Sequence, residues 1–237
     1  LLILASVGTG KTTTIVERYV NLIKNHNINP DGVMITTFTN KAAKDMIKKI
    51  NQRTDKLPKY IGTMHSLFLN ILRNNAKKIN LYPNFTLLTE ENDKKRIIKE
   101  ILDKKGVEPT SKNVSYFLKR IGMFKNRGVH HESLVESSGL YKDDNEKEEI
   151  EAGEFAFISP KIKKLRNYVY KRYQERLKET NILDFDDILL YTYFLFEKNG
   201  DLRKEYQEKL KAIMVDEAQD LNIVQRKILE LLQKNNL

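Results

Sequence analysis

The chain has no cysteine among its 237 residues. That excludes disulfides and a thiol nucleophile, leaves a thiolate zinc site without its ligands, and fits a reducing, intracellular setting. No apolar run approaches the roughly 20 residues that a membrane-spanning helix needs, and no secretory signal is visible. The expectation is a cytoplasmic protein with no membrane partner. Internal repeats and low-complexity tracts are also lacking. So is an initiator Met: Leu1 opens directly into a strand-like run, and a segment whose natural N-terminus lies upstream is expected. What is plentiful is positive charge. Lys and Arg number 42 against 32 Asp and Glu, for a formal net charge of +10. That favours a polyanionic partner, nucleic acid ahead of an anionic membrane surface, although a generally lysine-rich composition gives the same sum. Hydrophobic residues at 40% suffice for a core, and the length suits one large domain or one domain with an insertion.

The stretch Leu1–Thr14, LLILASVGTGKTTT, is the most informative. Four apolar residues run into Ala5-Ser6-Val7-Gly8-Thr9-Gly10-Lys11-Thr12, and Ile15, Val16, Tyr19, Val20 and Ile23 then follow at helical spacing. Strand, glycine-bearing loop, Gly-Lys-Thr and helix are the parts of a phosphate-binding loop in the required order. Gly8 and Gly10 let the backbone wrap an oxygen-rich anion without Cβ clashes. Successive N–H groups and the helix N-terminus then face the phosphates. Lys11 neutralises β/γ oxygens and the Thr12 hydroxyl reaches Mg²⁺. Ala5 stands where the loop usually has its first glycine, a small-for-small change. The plain alternative is a Gly/Thr-rich turn entering a helix.

Asn29-Pro30-Asp31-Gly32 is a turn signal, and Val33–Phe38 reads as a buried strand. Thr39 can cap a helix with Ala43, Met46, Ile47 and Ile50 on its apolar face. The first fifty residues thus spell β-α-β-α, the grammar of a parallel sheet, with its loops gathered at the carboxyl ends of the strands. Tyr60–Ser66 repeats the pattern: a short strand runs into a helix carrying Met64, Leu67, Phe68, Ile71 and Leu72. His65 falls at that junction, where a lone histidine more often caps or packs than acts.

From about Thr89 to Thr180 no strand pattern is present, and an all-helical insertion is expected. Glu90–Lys105 places Ile97, Ile98, Ile101 and Leu102 inward, Val114–Phe124 is helical, and Pro160 opens a long helix with Ile162, Leu165, Val169, Tyr173 and Leu177 inward. Ser137-Ser138-Gly139 and the acidic run Asp143–Glu151 read as loop or solvated face. In Asp184, Asp186 and Asp187, helix capping is favoured over a metal site. Ala212–Val215 is an apolar strand ending in Asp216 and Glu217, the natural partner of the opening loop: one carboxylate for the Mg²⁺ shell, the other to orient a water and accept its proton. A final helix carries Leu221, Val224, Ile228, Leu231 and Leu232 inward.

Five segments together resemble the N-terminal half of UvrD/Rep/PcrA-type superfamily-one DNA helicases: ASVGTGKTTT (5–14), ITTFTNKAAKDM (35–46), IGTMHSLFLNILR (61–73), LDFDDILL (183–190) and IMVDEAQDLN (213–222). The resemblance implies an α/β P-loop NTPase fold: a RecA-like lobe formed by 1–88 and 181–237, with 89–180 as the inserted helical subdomain. By the same resemblance Ala5, Gly8, Thr9, Gly10, Lys11, Thr12 and Thr13 line the ATP site. Thr12 and Asp216 serve Mg²⁺, Glu217 is the catalytic base, and Gln219 couples the nucleotide to the DNA. Phe38, Thr39, Asn40, Thr63 and His65 touch single-stranded DNA, where an exposed ring stacks on bases without sequence preference.

The departures are specific. Thr13 stands where many members have an adenine-contacting Arg, and the glutamine-bearing adenine motif lies upstream in the family, which leaves base selectivity open. Ser6 stands where many relatives have Gly, as in the AddA-like helicase–nuclease branch. The second RecA-like lobe, with its transition-state arginines, would follow in cis. The implied activity is an ATP-dependent 3′–5′ helicase acting on single strands and duplex/single-strand junctions, with repair or recombination proteins as possible partners. An AddA-like helicase–nuclease subunit, and a nucleic-acid-binding module with a vestigial ATP site, are the alternatives.

Overall fold

The computed structural model describes residues 10–136 and 160–233. The expected strand Leu1–Leu4, the loop residues Ala5, Gly8 and Thr9, Ser137–Gly139 and the acidic run Asp143–Glu151 lie outside the described residues. The chain divides into two compact units, Leu1–Pro83 with Tyr191–Leu237, and Asn84–Leu190.

In the first unit, α1 (Lys11–Lys24) leads through a one-turn 3₁₀ segment at Pro30–Gly32 into β1 (Val33–Thr37). There follow α2 (Asn40–Asn51), β2 (Tyr60–Thr63) and α3 (Met64–Asn75). The chain returns through the later part of α8 (Phe185–Lys198), then α9 (Gly200–Lys209), β5 (Ala212–Val215) and α10 (Ile223–Leu232). The sheet order is β2-β1-β5, all parallel. Every residue of β1 is buried, as expected of a central strand covered on both faces. Val16, Tyr19 and Ile23 of α1 and Met46 and Ile50 of α2 close over Val33 and Ile35 in one cluster. Each such side chain contributes about 1.5–3 kcal/mol by leaving water. Gly32 is required by packing: a Cβ there would sit 3.0 Å from the Lys209 carbonyl oxygen.

The second unit comprises α4 (Glu91–Lys104), α5 (Ser111–Asn126), α6 (Ser133–Glu136) and α7 (Pro160–Glu179). Its core joins Ile98, Ile101 and Leu102 to Phe117, Ile121 and Phe124 and to Val169, Tyr170, Tyr173 and Leu177. The helical spacings read from the sequence therefore point inward. Just outside that helical span, β3 (Thr86–Leu88) pairs in parallel with β4 (Ile182–Asp184), a two-stranded sheet that the sequence did not announce.

Asp184 does cap α8: its Oδ1 accepts from the Asp187 N–H, and Asp187 Oδ2 accepts from the Asp184 N–H, both at 3.0 Å. The same two carboxylates hold the fully buried Lys125, whose Nζ lies 2.6 Å from Asp184 Oδ2 and 2.8 Å from Asp187 Oδ1. The Tyr173 hydroxyl and the Gln174 amide donate to them as well. These aspartates are thus a cap and a lysine clamp. Burial opposes charge on Lys125, yet Asp184 and Asp187 outweigh it and hold the ammonium protonated.

Candidate active site

β1, β2 and β5 run parallel, so their carboxyl ends form one rim. Each strand there delivers a different group of expected site residues. β5 ends at Val215, and Asp216 and Glu217 follow immediately. The Asp216 N–H donates to the Thr36 carbonyl at 2.9 Å, which extends the β1–β5 ladder by one bond and fixes the start of the acidic pair. Glu217 then adopts a left-handed conformation, φ 54°, unusual for a residue with a side chain. This sharp turn sends its carboxylate to Lys11, 206 positions away, with Nζ to Oε2 at 3.0 Å.

Lys11 is the first residue of α1, and Gly10 before it has φ +92°. Among the described residues nothing lies within 4 Å of the place where a Cβ on Gly10 would stand. The positive φ by itself favours glycine here. The Gly10 carbonyl already accepts from the Thr14 N–H at 2.9 Å and from the Thr14 hydroxyl at 3.2 Å, so the helix begins at once. No acidic side chain occupies its first turn. Thr12 is half-buried and Thr13 exposed in that turn.

The electrostatics of the acidic pair divide its two members. Glu217 accepts from the Gln219 amide at 2.5 Å and from Lys11, and these bonds hold its carboxyl below the ordinary range. Asp216 is pushed the other way, by burial first and then by the charge of Glu217. A cation arriving beside Asp216 would relieve that second effect. Lys11, Glu217 and Gln219 are thus joined in one chain of contacts, with Asp216 adjacent.

The residues beyond β1 and β2 occupy neighbouring positions on the rim, since Thr37 pairs in register with Thr63. Phe38 is 68% exposed, a large ring standing in solvent at a strand tip. Thr39 and Asn40 are exposed beside it. The hydroxyls of Thr39 and Thr63 both cap helices, accepting from the Ala42 N–H at 3.1 Å and the Ser66 N–H at 3.3 Å. Each keeps its own proton to donate. His65 is half-buried, and that burial lowers its pKa to about 4, so it is neutral at pH 7. It offers a neutral imidazole at physiological pH, not a cation.

Sequence reading passed over one group, the lysine clamp. Lys125 stands four residues after Ile121 and eight after Phe117, on the inward stripe of α5. A lysine at a core position is itself a signal that acidic partners must be nearby.

The whole chain, residues 1–237, matches the family described as UvrD/REP helicase N-terminal domain. It is 33% identical over 227 residues to a probable DNA helicase II homolog of Rickettsia conorii, covering 95% of this chain and 32% of the relative. A probable DNA helicase II homolog of Mycoplasma capricolum is 33% identical over 237 residues, covering 98% of this chain and 30% of the relative. The ATP-dependent DNA helicase PcrA of Staphylococcus epidermidis is 32% identical over 234 residues, covering 98% and 29%. The chain thus spans less than a third of the length of these relatives. Since the family match runs from end to end and these likenesses cover nearly all of the sequence, the chain belongs to the UvrD/REP helicase N-terminal domain family.

Proposed function

We propose that this chain is the first ATP-binding lobe, with its inserted helical subdomain, of an ATP-dependent DNA helicase that translocates 3′ to 5′ on single-stranded DNA. Residues 1–88 and 181–237 form the RecA-like P-loop lobe in this reading, and 89–180 the insertion. A second lobe acts in cis, and the work is done on single strands and duplex/single-strand junctions in the cytoplasm, in repair or recombination. The observation that carries the reading is the 3.0 Å approach of Lys11 to Glu217. Two distant motifs that make sense only together are in contact. The names of the relatives and their DNA substrate support it.

The residues present fit a magnesium–nucleotide. Among the described residues, Gly10 leaves open space where a side chain would stand, and the first turn of α1 carries no competing acid. The Thr12 hydroxyl and the Asp216 carboxylate are hard oxygen donors of the kind Mg²⁺ takes. Bound there, Mg²⁺ would neutralise the developing charge on the phosphoryl oxygens. Ala5, Gly8, Thr9 and Gly10 supply backbone N–H groups, and Thr13 flanks them. Lys11 turns its ammonium from Glu217 to the phosphates. Glu217, released, orients a water and accepts its proton. Gln219 reports that exchange towards Phe38, Thr39, Asn40, Thr63 and His65, which hold the single strand. With a low pKa, Glu217 is ionised and ready to accept.

The test uses the whole protein. Lys11→Ala and Glu217→Gln should each lower DNA-stimulated ATP hydrolysis by about 10²–10³-fold. Both should abolish unwinding and leave single-strand binding in place. Unwinding at wild-type rates in both variants overturns the reading, leaving a passive nucleic-acid binder.

A further inference from the structure

We propose that the turn after α5 is a binding site for a single divalent transition-metal ion, with His130, His131 and Glu132 as ligands and zinc as the ion to be tried first. The three residues each offer one donor atom, and these atoms lie within 4.8 Å of one another. Two imidazoles and one carboxylate form a donor set that suits zinc, cobalt, nickel and copper and disfavours magnesium and calcium.

The turn is held in place on both sides. Gly128 closes α5 with φ +75°, its N–H donating to the Lys125 carbonyl and the Val129 N–H donating to the Phe124 carbonyl, each at 2.9 Å. Val129 is buried, and its carbonyl accepts from the Tyr170 hydroxyl at 3.0 Å. On the far side Leu134 is buried, and the Ser133 N–H donates to the His130 carbonyl at 3.1 Å. The histidines are therefore displayed between two anchors, with ring centroids 4.1 Å apart.

His131 packs edge-on against Tyr170, and its Nδ1 is buried with no hydrogen-bond partner among the described residues. An uncompensated buried nitrogen is costly, and a metal ion would satisfy it. Glu132 is the adjustable ligand, its side chain 75% exposed and its carboxylate 3.4 Å from His130 Nδ1. Two donors on one zinc ion stand at most about 4.2 Å apart, so the three donors need only a small side-chain adjustment to converge on one ion. Glu175 adds attraction for a cation, while Lys171 and Lys125 oppose it.

The experiment titrates the metal-free, tag-free protein with Zn²⁺ calorimetrically, and with Co²⁺ by visible absorption. One ion per chain is expected, with cobalt bands of a nitrogen-liganded site. His130→Ala, His131→Ala and Glu132→Gln should each weaken binding at least about tenfold. His26→Ala, which removes an exposed histidine elsewhere, should leave binding unchanged, and excess Mg²⁺ should not compete. No saturable binding overturns the proposal. So does binding that survives the His130→Ala/His131→Ala double variant, or equal competition by Mg²⁺. Should His131→Ala fail to fold, Glu132→Gln alters only an exposed side chain and decides the matter alone.

Discussion

At the scale of single residues, Glu217 is under tension. Its left-handed backbone costs a residue with a Cβ about 1–2 kcal/mol, and the contact with Lys11 is half-exposed, so it returns little. Stability does not explain the geometry; the catalytic role proposed for Glu217 would. Glu217→Gly should accordingly be more stable than Glu217→Ala by about 1 kcal/mol, measured by urea denaturation. Equal stabilities would mean that the turn is unstrained. Phe38 presents the complementary case, a large ring two-thirds exposed at a strand tip. Phe38→Ala should weaken single-strand binding by about 1–3 kcal/mol, read by fluorescence titration, and leave the melting temperature unchanged. The meeting of Lys11 with Glu217 was legible in the sequence, because a Gly-Lys-Thr loop and paired acids at a strand end carry chemistry in their spacing. The conformation of Glu217 was not, since no letter in Asp-Glu-Ala-Gln encodes a positive φ. Nor was the burial of His65, which depends on the packing around α3.

At the scale of elements, the lysine clamp ties α5 to the β4–α8 junction. Lys125→Ala leaves the ionised Asp184, buried beside Asp187, without its cation and should destabilise the second unit by about 3–5 kcal/mol. Its pH dependence has a defined sign. Burial and the charge of Asp184 raise the Asp187 carboxyl to about 7. The native state therefore holds a proton that the unfolded chain gives up near pH 4. The stabilisation from Asp187 is complete below that point and is lost as the pH rises through about 7. Asp184 runs opposite: burial resists its ionisation, Lys125 overcomes this, and its stabilisation is lost on acidification. Asp187→Asn should flatten the fall in stability between about pH 4 and pH 7 relative to wild type, followed by thermal melts. A parallel pair of curves would place the proton elsewhere.

Helices α1, α2, α3, α4 and α7 were readable because apolar residues recur every three or four positions over many turns. Strands β3 and β4 were not. Three residues contain no period, and Leu-Asp-Phe-Asp-Asp reads equally as a cap. Lys125 was hidden by its company, one lysine among 42 basic residues.

For the whole molecule, the net charge of +10 predicts that DNA affinity falls steeply with ionic strength, as phosphate contacts release counterions. The logarithm of the affinity against the logarithm of salt should be linear with a slope of several units, and Phe38→Ala should leave that slope alone because stacking releases no ions. A flat plot would assign the lysines to solubility only. The β-α-β order and the meeting of the first helix with the last strand follow from patterning and from two motifs. The division into two units follows from them only in outline, because the joints fall in segments too short to show a pattern.

The middle strand of the three-stranded sheet is shared. Thr36 bonds to the residue that starts the acidic pair, and Thr37, beside the threonine that opens α3, leads straight into Phe38. A single ruler therefore graduates both neighbouring strand ends. Deleting one residue from β1 would slide every mark on it by about 3.3 Å, and would shift Phe38 and the Asp216–Glu217 pair out of register in the same stroke.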